Sequence, residues 1–272
     1  MPPMDKGRIF RELHSGPGAF IIPNPWDIGT AKLLQSFGFK ALATTSAGFA
    51  FSRGLPDGGV NFETMIAHCK ELAAATDLPV SADLEKGKGD SPERAAETIF
   101  AAEAAGLAGC SIEDFSGDET NPIYDFSHAV ERVAAAVEAA RALKHDFVFT
   151  ARAENFLHGI NDLDDTIRRL QAFEKAGADV LYAPGITDLE AVRTICSSVS
   201  KPVNILAVPA FTVAELAKAG AKRISLGSKL TNYTFGALER ASKEILQGGS
   251  FTFSRDAMAY DRLQKMFATS EG

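Results

Sequence analysis

Four carboxylates and one guanidinium hold the positions from which this chain could do chemistry. In Val80-Ser81-Ala82-Asp83-Leu84-Glu85, alternation sends Ser81, Asp83 and Glu85 to one face and the apolar Val80, Ala82 and Leu84 to the other. In Cys110-Ser111-Ile112-Glu113-Asp114 the same logic turns Glu113 inward and Cys110 and Ile112 outward. The run Val148–Glu154 sends Val148, Thr150, Arg152 and Glu154 inward. Asn204 lies in a later run, Val203–Val208, Ser46 ends an early one, and Asp57 follows in a Gly-rich loop. Carboxylates packed this closely repel, and either protonation or a cation relieves the repulsion. Oxygen ligands with no His or Cys among them suit Mg²⁺ or Mn²⁺, so Asp83, Glu85 and Glu113 are the candidate metal residues. Arg152 offers a planar fork to a substrate carboxylate or phosphonate. The plainer alternative is a set of salt bridges around a barrel mouth.

Such a cluster needs elements that bring several strand ends together. Eight short apolar runs, Ala19–Asn24, Ala41–Ser46, Val80–Glu85, Gly109–Asp114, Phe147–Glu154, Val180–Pro184, Val203–Val208 and Arg223–Gly227, have the length of buried strands. Amphipathic stretches separate them, among them Pro92–Ala105, Ala129–Leu143, Asp162–Ala176 and Val213–Ala219. Gly38, Gly106, Gly177 and Gly220 each stand shortly before a run, as helix-ending glycines do. The pattern predicts an α/β fold, a (β/α)₈ barrel, with sites at the C-terminal ends of its strands. An open doubly wound sheet is the alternative, weakened because no GxGxxG follows the first run. Two more helical patterns, Leu230–Leu246 and Arg255–Phe267, flank Gly248-Gly249. The expectation is one barrel domain over 1–272, with 250–272 a helical tail packed on its own barrel or on a second subunit.

Composition agrees with a globular protein, 46% hydrophobic and 23% charged with a net charge of −7, and 272 residues allow one or two domains, a single α/β barrel among them. The acidic balance argues against a nucleic-acid partner. No run of about 18 apolar residues is present, which argues against a membrane span. The start, Met1-Pro2-Pro3-Met4-Asp5-Lys6, lacks a signal-type apolar stretch, and Cys69, Cys110 and Cys196 lack metal-ligand spacing. A cytoplasmic location is expected. His68, His128, His145 and His158 fall in helical stretches or at helix ends and read as capping or solvated groups, and nothing argues for His14. No Lys stands at an inward strand end, which argues against a Schiff-base aldolase. Lys86 and Lys88 flank Gly87 and Gly89 in a loop beyond the third run, and Gly227-Ser228-Lys229 is a weak phosphate-binding signal.

From about Gly18 to Glu244 the chain resembles the isocitrate lyase/phosphoenolpyruvate mutase superfamily. The resemblance is carried by Asn24-Pro25-Trp26-Asp27, Thr44-Thr45-Ser46-Ala47-Gly48, Leu55-Pro56-Asp57-Gly58, Ala82-Asp83-Leu84-Glu85-Lys86-Gly87, Ser111-Ile112-Glu113-Asp114, Ala151-Arg152-Ala153-Glu154 and Pro202-Val203-Asn204. It implies a Mg²⁺-dependent lyase that cleaves a C–C bond of a 2-oxo or 2-hydroxy dicarboxylic acid through a metal-held pyruvate enolate. By the same resemblance Asp83 would ligate the metal directly, while Glu85, Glu113 and Asp57 would hold its waters. Glu85 stands where the family usually has Asp. Substrate would meet Trp26, Ser46, the amides of Ala47 and Gly48, Asp83, Arg152 and Asn204. The catalytic set would be Asp57, Glu113, Arg152 and, from the lid, Tyr124. The implied assembly is a homodimer or homotetramer with the last barrel helix exchanged between subunits. The lid departs from the lyases: Phe115–Tyr124 has no Cys, His or cation, so the usual cleavage of isocitrate or 2-methylisocitrate lacks its acid. Loss of CO₂ needs no such acid, which makes oxaloacetate decarboxylation the least demanding chemistry. P–C bond chemistry on a phosphonopyruvate, with Lys86 or Arg53 compensating, and non-catalytic binding of a 2-oxo acid are the alternatives.

Overall fold

The computed structural model describes residues 5–268. Met1–Met4 and the last four residues of the expected tail lie outside them. Eight strands run in parallel: β1 (Phe20–Ile22), β2 (Leu42–Ala43), β3 (Val80–Asp83), β4 (Gly109–Glu113), β5 (Val148–Arg152), β6 (Val180–Tyr182), β7 (Val203–Leu206) and β8 (Arg223–Ser225). Each pairs with its sequence neighbour from β2 round to β8, and β8 pairs with β1. Across the remaining gap the Ala43 amide donates to the Pro23 carbonyl at 3.0 Å, which brings β2 against β1. The expected (β/α)₈ barrel is the fold.

Helices follow the strands, and their apolar stripes meet the outward strand faces in one large cluster. Ala82, Leu84, Cys110 and Ile112 are buried there, as alternation requires. Gly38, Gly106, Gly177 and Gly220 all take left-handed φ, between 82° and 105°. A helix that the sequence reading missed, Lys6–Ser15, closes the N-terminal end of the barrel. Its Phe10 is fully buried beside Val148 and Val180 at the starts of their strands. It lies so near the barrel that a Cβ on Gly7 would sit 1.6 Å from the Asp146 carbonyl oxygen, and only glycine permits that approach.

The strands are shorter than their apolar runs, and two consequences reach the site. Thr45 caps a helix over Ser46–Ser52, so Ser46 opens a helix instead of ending a strand. β3 stops at Asp83, and Glu85 lies in the following turn at φ +51°, alone among described non-glycine residues in the left-handed region. The eighth barrel helix, Lys229–Lys243, buries only Thr231, and Tyr233, Leu238 and Leu246 are exposed. The final helix, Tyr260–Phe267, packs on its own chain: the Arg262 guanidinium lies 5.8 Å from the Phe37 ring, and the Phe267 ring reaches Gly29.

Candidate active site

One cavity of about 740 Å³ opens at the C-terminal ends of the strands and runs down into the barrel. Asp57, Asp83, Glu85 and Glu113 all line it, together with Ser46, Ala47, Arg152 and Asn204. Barrel interiors are ordinarily filled by layers of branched side chains. Here Ala43, Ser81, Ser111 and Ser225 are too small to fill the space, which is why it stays open.

Arg152 stands at the centre. Its Nη1 donates to Asp83 Oδ1 at 2.5 Å, its Nε to Glu154 Oε1 at 2.8 Å, and its Nη2 lies 3.1 Å from Glu113 Oε2. The Tyr182 ring lies 5.2 Å from the guanidinium. Burial opposes the charge on Arg152, but Glu154, Asp83 and Glu113 outweigh it and hold the group firmly protonated. The second oxygen of Asp83 accepts the Ser46 hydroxyl at 3.0 Å. The Ser46 amide also faces that oxygen, at 3.4 Å, from the first turn of its helix.

One guanidinium does not neutralise this many acids. Burial, with Asp83 and Asp57 nearby, pushes the Glu85 carboxyl up to about 7. Glu113 is also driven well up, first by burial and then by Glu154, Asp83 and Glu85, despite Arg152 alongside. Asp57 rises for the same two reasons, burial and the charge of Asp83. A divalent cation among them would relieve what protonation now relieves. Among the described residues no three His, Cys, Asp or Glu side chains converge as a direct ligand sphere. The oxygen-only donor set fits a hard divalent cation held in part through water.

Other expected residues are placed differently. The Tyr124 hydroxyl donates to Asp90 Oδ1 at 2.6 Å, and Tyr124 does not line the cavity. Its ring is engaged by Arg132, 4.8 Å away, and burial raises its hydroxyl pKa. That side chain is a strut under the lid rather than a donor into the site. The Gly48 amide is spent on the Thr45 hydroxyl (3.1 Å), and a Cβ on Gly48 would meet Thr231 Oγ1 at 2.5 Å. Gly48 therefore serves helix packing, and Ala47 remains the helix-start residue that lines the cavity. Trp26 is partly buried and lies outside the cavity lining.

The lid is a small hairpin in which Phe115 bridges Ile123 and the Ser116 amide donates to the Pro122 carbonyl. Phe115, Gly117 and Glu119 face the cavity. The segment has no cation of its own, but Lys86 Nζ reaches it from the β3 loop and donates to the Ser116 carbonyl at 2.8 Å. His158, expected to be solvated, stacks on Phe115 with ring centroids 3.9 Å apart and lines the cavity. Arg223 and Tyr182 also line it and were not among the expected residues.

The model of the phosphoenolpyruvate phosphomutase family matches residues 10–246. The chain belongs to that family. A Burkholderia cenocepacia J2315 protein described as a lyase/mutase is similar in structure, with a TM-score of 0.95 and 51% identity over 97% of this chain and 96% of the other. The 2-methylisocitrate lyase of Escherichia coli (strain K12) is 31% identical over 226 residues, 78% of this chain and 75% of that protein. The crystal structure of 2,3-dimethylmalate lyase, a member of the same superfamily, has a TM-score of 0.85 at 25% identity, over 97% of this chain and 95% of the other. These relatives are enzymes, and the two named for a single activity are lyases.

Proposed function

We propose that this family member is a divalent-cation-dependent lyase, Mg²⁺ or Mn²⁺ being the cation, that cleaves a C–C bond in a 2-oxo or 2-hydroxy dicarboxylic acid. The observation that carries this reading is the convergence of Asp57, Asp83, Glu85 and Glu113 on one cavity around Arg152. When bound, the cation would supply Lewis acidity to the oxygen next to the substrate carboxylate. With Asp83 given over to a cation, the N–H that Arg152 now donates to it becomes free for that carboxylate. The Ser46 hydroxyl and the Ala47 amide, at a helix N-terminus, complete an anion cradle on the other side. Glu154 and the Tyr182 ring hold the guanidinium in place. The lid lines one side of the cavity through Phe115, Gly117 and Glu119, and none of its side chains over 115–124 is a thiol that could protonate a departing carbanion. Departing CO₂ needs no proton, so decarboxylation of oxaloacetate is the simplest reaction such a site can run. Glu119 and His158, at the cavity rim, are the side chains placed to return a proton to the remaining carbon.

P–C bond chemistry on a phosphonopyruvate is the second reading. Lys86 favours it, because it lines the cavity and brings to the lid the charge that the lid lacks. The two readings separate in one assay. Purified protein is incubated with oxaloacetate, 2-methylisocitrate, dimethylmalate or phosphonopyruvate, with Mg²⁺ or with EDTA, and pyruvate and phosphate are measured. Metal-dependent pyruvate from a phosphorus-free substrate supports the lyase, and phosphate release supports the alternative. Tight oxalate binding with no turnover of any compound would leave only a 2-oxo acid binder. The exposed apolar side chains of Lys229–Leu246 further support a homodimer or homotetramer that covers them. Light scattering should give a mass of two or four chains, and a strictly monomeric protein would refute the assembly.

A further inference from the structure

Arg223 is a buried charge with no counter-charge beside it. It opens β8, is 5% exposed and lines the lower part of the cavity. All its hydrogen-bond partners are neutral: Nε donates to Asn204 Oδ1 (3.0 Å), Nη2 to Thr150 Oγ1 (3.1 Å), and Nη1 faces His14 Nε2 at 3.4 Å. His14 is neutral there because burial first, and the Arg223 charge second, hold its pKa at about 3, against the Phe10 carbonyl that its Nδ1 engages. A guanidinium has five N–H donors and stays protonated, so donors remain and the desolvated charge is uncompensated. Burial lowers the Arg223 pKa to about 10, and no carboxylate acts to raise it. Polar groups surround it: Ser225 accepts from Asn204 at 2.9 Å, and the Tyr182 hydroxyl engages Ser225 from the next strand but one.

The position relative to Arg152 gives the site its length. Arg223 reaches Thr150, two residues below Arg152 on β5, which places its charge about 7 Å down the barrel at about 3.3 Å per residue. Two cationic groups at that separation, each about 2.9 Å from a carboxylate oxygen, are bridged by a diacid of four to six carbons. Resting on the lyase reading above, we propose that the barrel floor is a second carboxylate subsite, in which Arg223, with Asn204 and Ser225, takes the distal carboxylate of a dicarboxylic substrate whose other end lies at Arg152.

The test compares 2-oxoglutarate with 2-oxopentanoate, equal in length and different only in the distal carboxylate, with oxalate as the ligand that reaches Arg152 alone. Binding is measured by calorimetry with Mg²⁺ present. The wild-type protein should bind 2-oxoglutarate about 10- to 100-fold tighter than 2-oxopentanoate, the worth of a charge-assisted hydrogen bond. Arg223→Gln should erase that preference and leave oxalate within about twofold, while Arg223→Lys keeps part of it. No preference in the wild-type protein overturns the subsite whether or not the variants fold. A preference that survives Arg223→Gln in the folded variant also overturns it. Oxalate that fails to bind the wild-type protein rejects the Arg152 site itself, a separate failure.

Discussion

Arg152 and Arg223 point into the same barrel from strands three apart, and their surroundings are opposite. Arg152 is gripped by Asp83, Glu113 and Glu154, and its charge is over-compensated. Arg223 has a histidine, a threonine and an asparagine around it, and its charge is not compensated at all. The carboxylates above exceed their cation, and the cation below exceeds its carboxylates. The contrast shows a cavity polarised along its axis, negative where a metal ion would sit and positive where an anionic tail would end. The fold holds Arg223 away from those acids, against Asn204, Thr150 and His14.

The contrast breaks most completely at Asp83. Asp83→Ala should lower metal-dependent turnover by about 10³-fold or more, because it removes the carboxylate proposed as the direct ligand. Pyruvate release, checked beside far-UV circular dichroism, measures this, and unchanged kinetics would sink the metal assignment. Stability sharpens the comparison next. Arg152→Met strands three acids, Glu113 and Glu154 buried and Asp83 partly so, and should cost about 3–5 kcal/mol in urea unfolding. Arg223→Met strands only neutral partners and should cost about 1 kcal/mol. Equal losses would mean that the surroundings of the two guanidiniums are energetically alike, against the structure.

The smallest effect concerns His14, under the floor. Burial first, and the Arg223 charge second, depress its pKa from 6.5 to about 3. Above pH 6.5 it is neutral folded or unfolded and adds nothing to pH dependence. Between 6.5 and about 3 the unfolded chain takes up the proton and the folded one does not, so stability falls as pH falls, by up to about 1.4 kcal/mol per pH unit from this group. His14→Gln should flatten that limb, and Arg223→Met should shorten it, ending it at a higher pH by easing protonation of the folded histidine. A limb unchanged in His14→Gln would remove His14 from the account.

Alternation along short apolar runs was enough to turn Asp83, Glu113 and Arg152 into one mouth, because a side-chain period of two leaves little freedom within a closed barrel. It failed where backbone geometry departs from a strand. Ser46 reaches Asp83 from a helix start, and Glu85 reaches the cavity through a left-handed turn that no periodicity signals. The direction of Tyr124 was not legible, because a lid hairpin carries it and its contacts are set by Asp90 in the β3 loop and Arg132 in the helix Phe126–Ala142. Arg223 was legible and overlooked: Ile224 faces the helices, so Arg223 and Ser225 must face inward. A three-residue strand offers one alternation only, and attention went to the phosphate-like Gly227-Ser228-Lys229 beyond it.

The central claim is that the mouth carboxylates hold a divalent cation together with a 2-oxo acid. Its most direct test is a titration of the metal-stripped wild-type protein with Mg²⁺, with and without saturating oxalate. The account predicts one Mg²⁺ per chain, bound about tenfold or more tighter when oxalate is present, since both ligands would share one centre and the coupling is reciprocal. Absence of Mg²⁺ binding, or an affinity indifferent to oxalate, would contradict it.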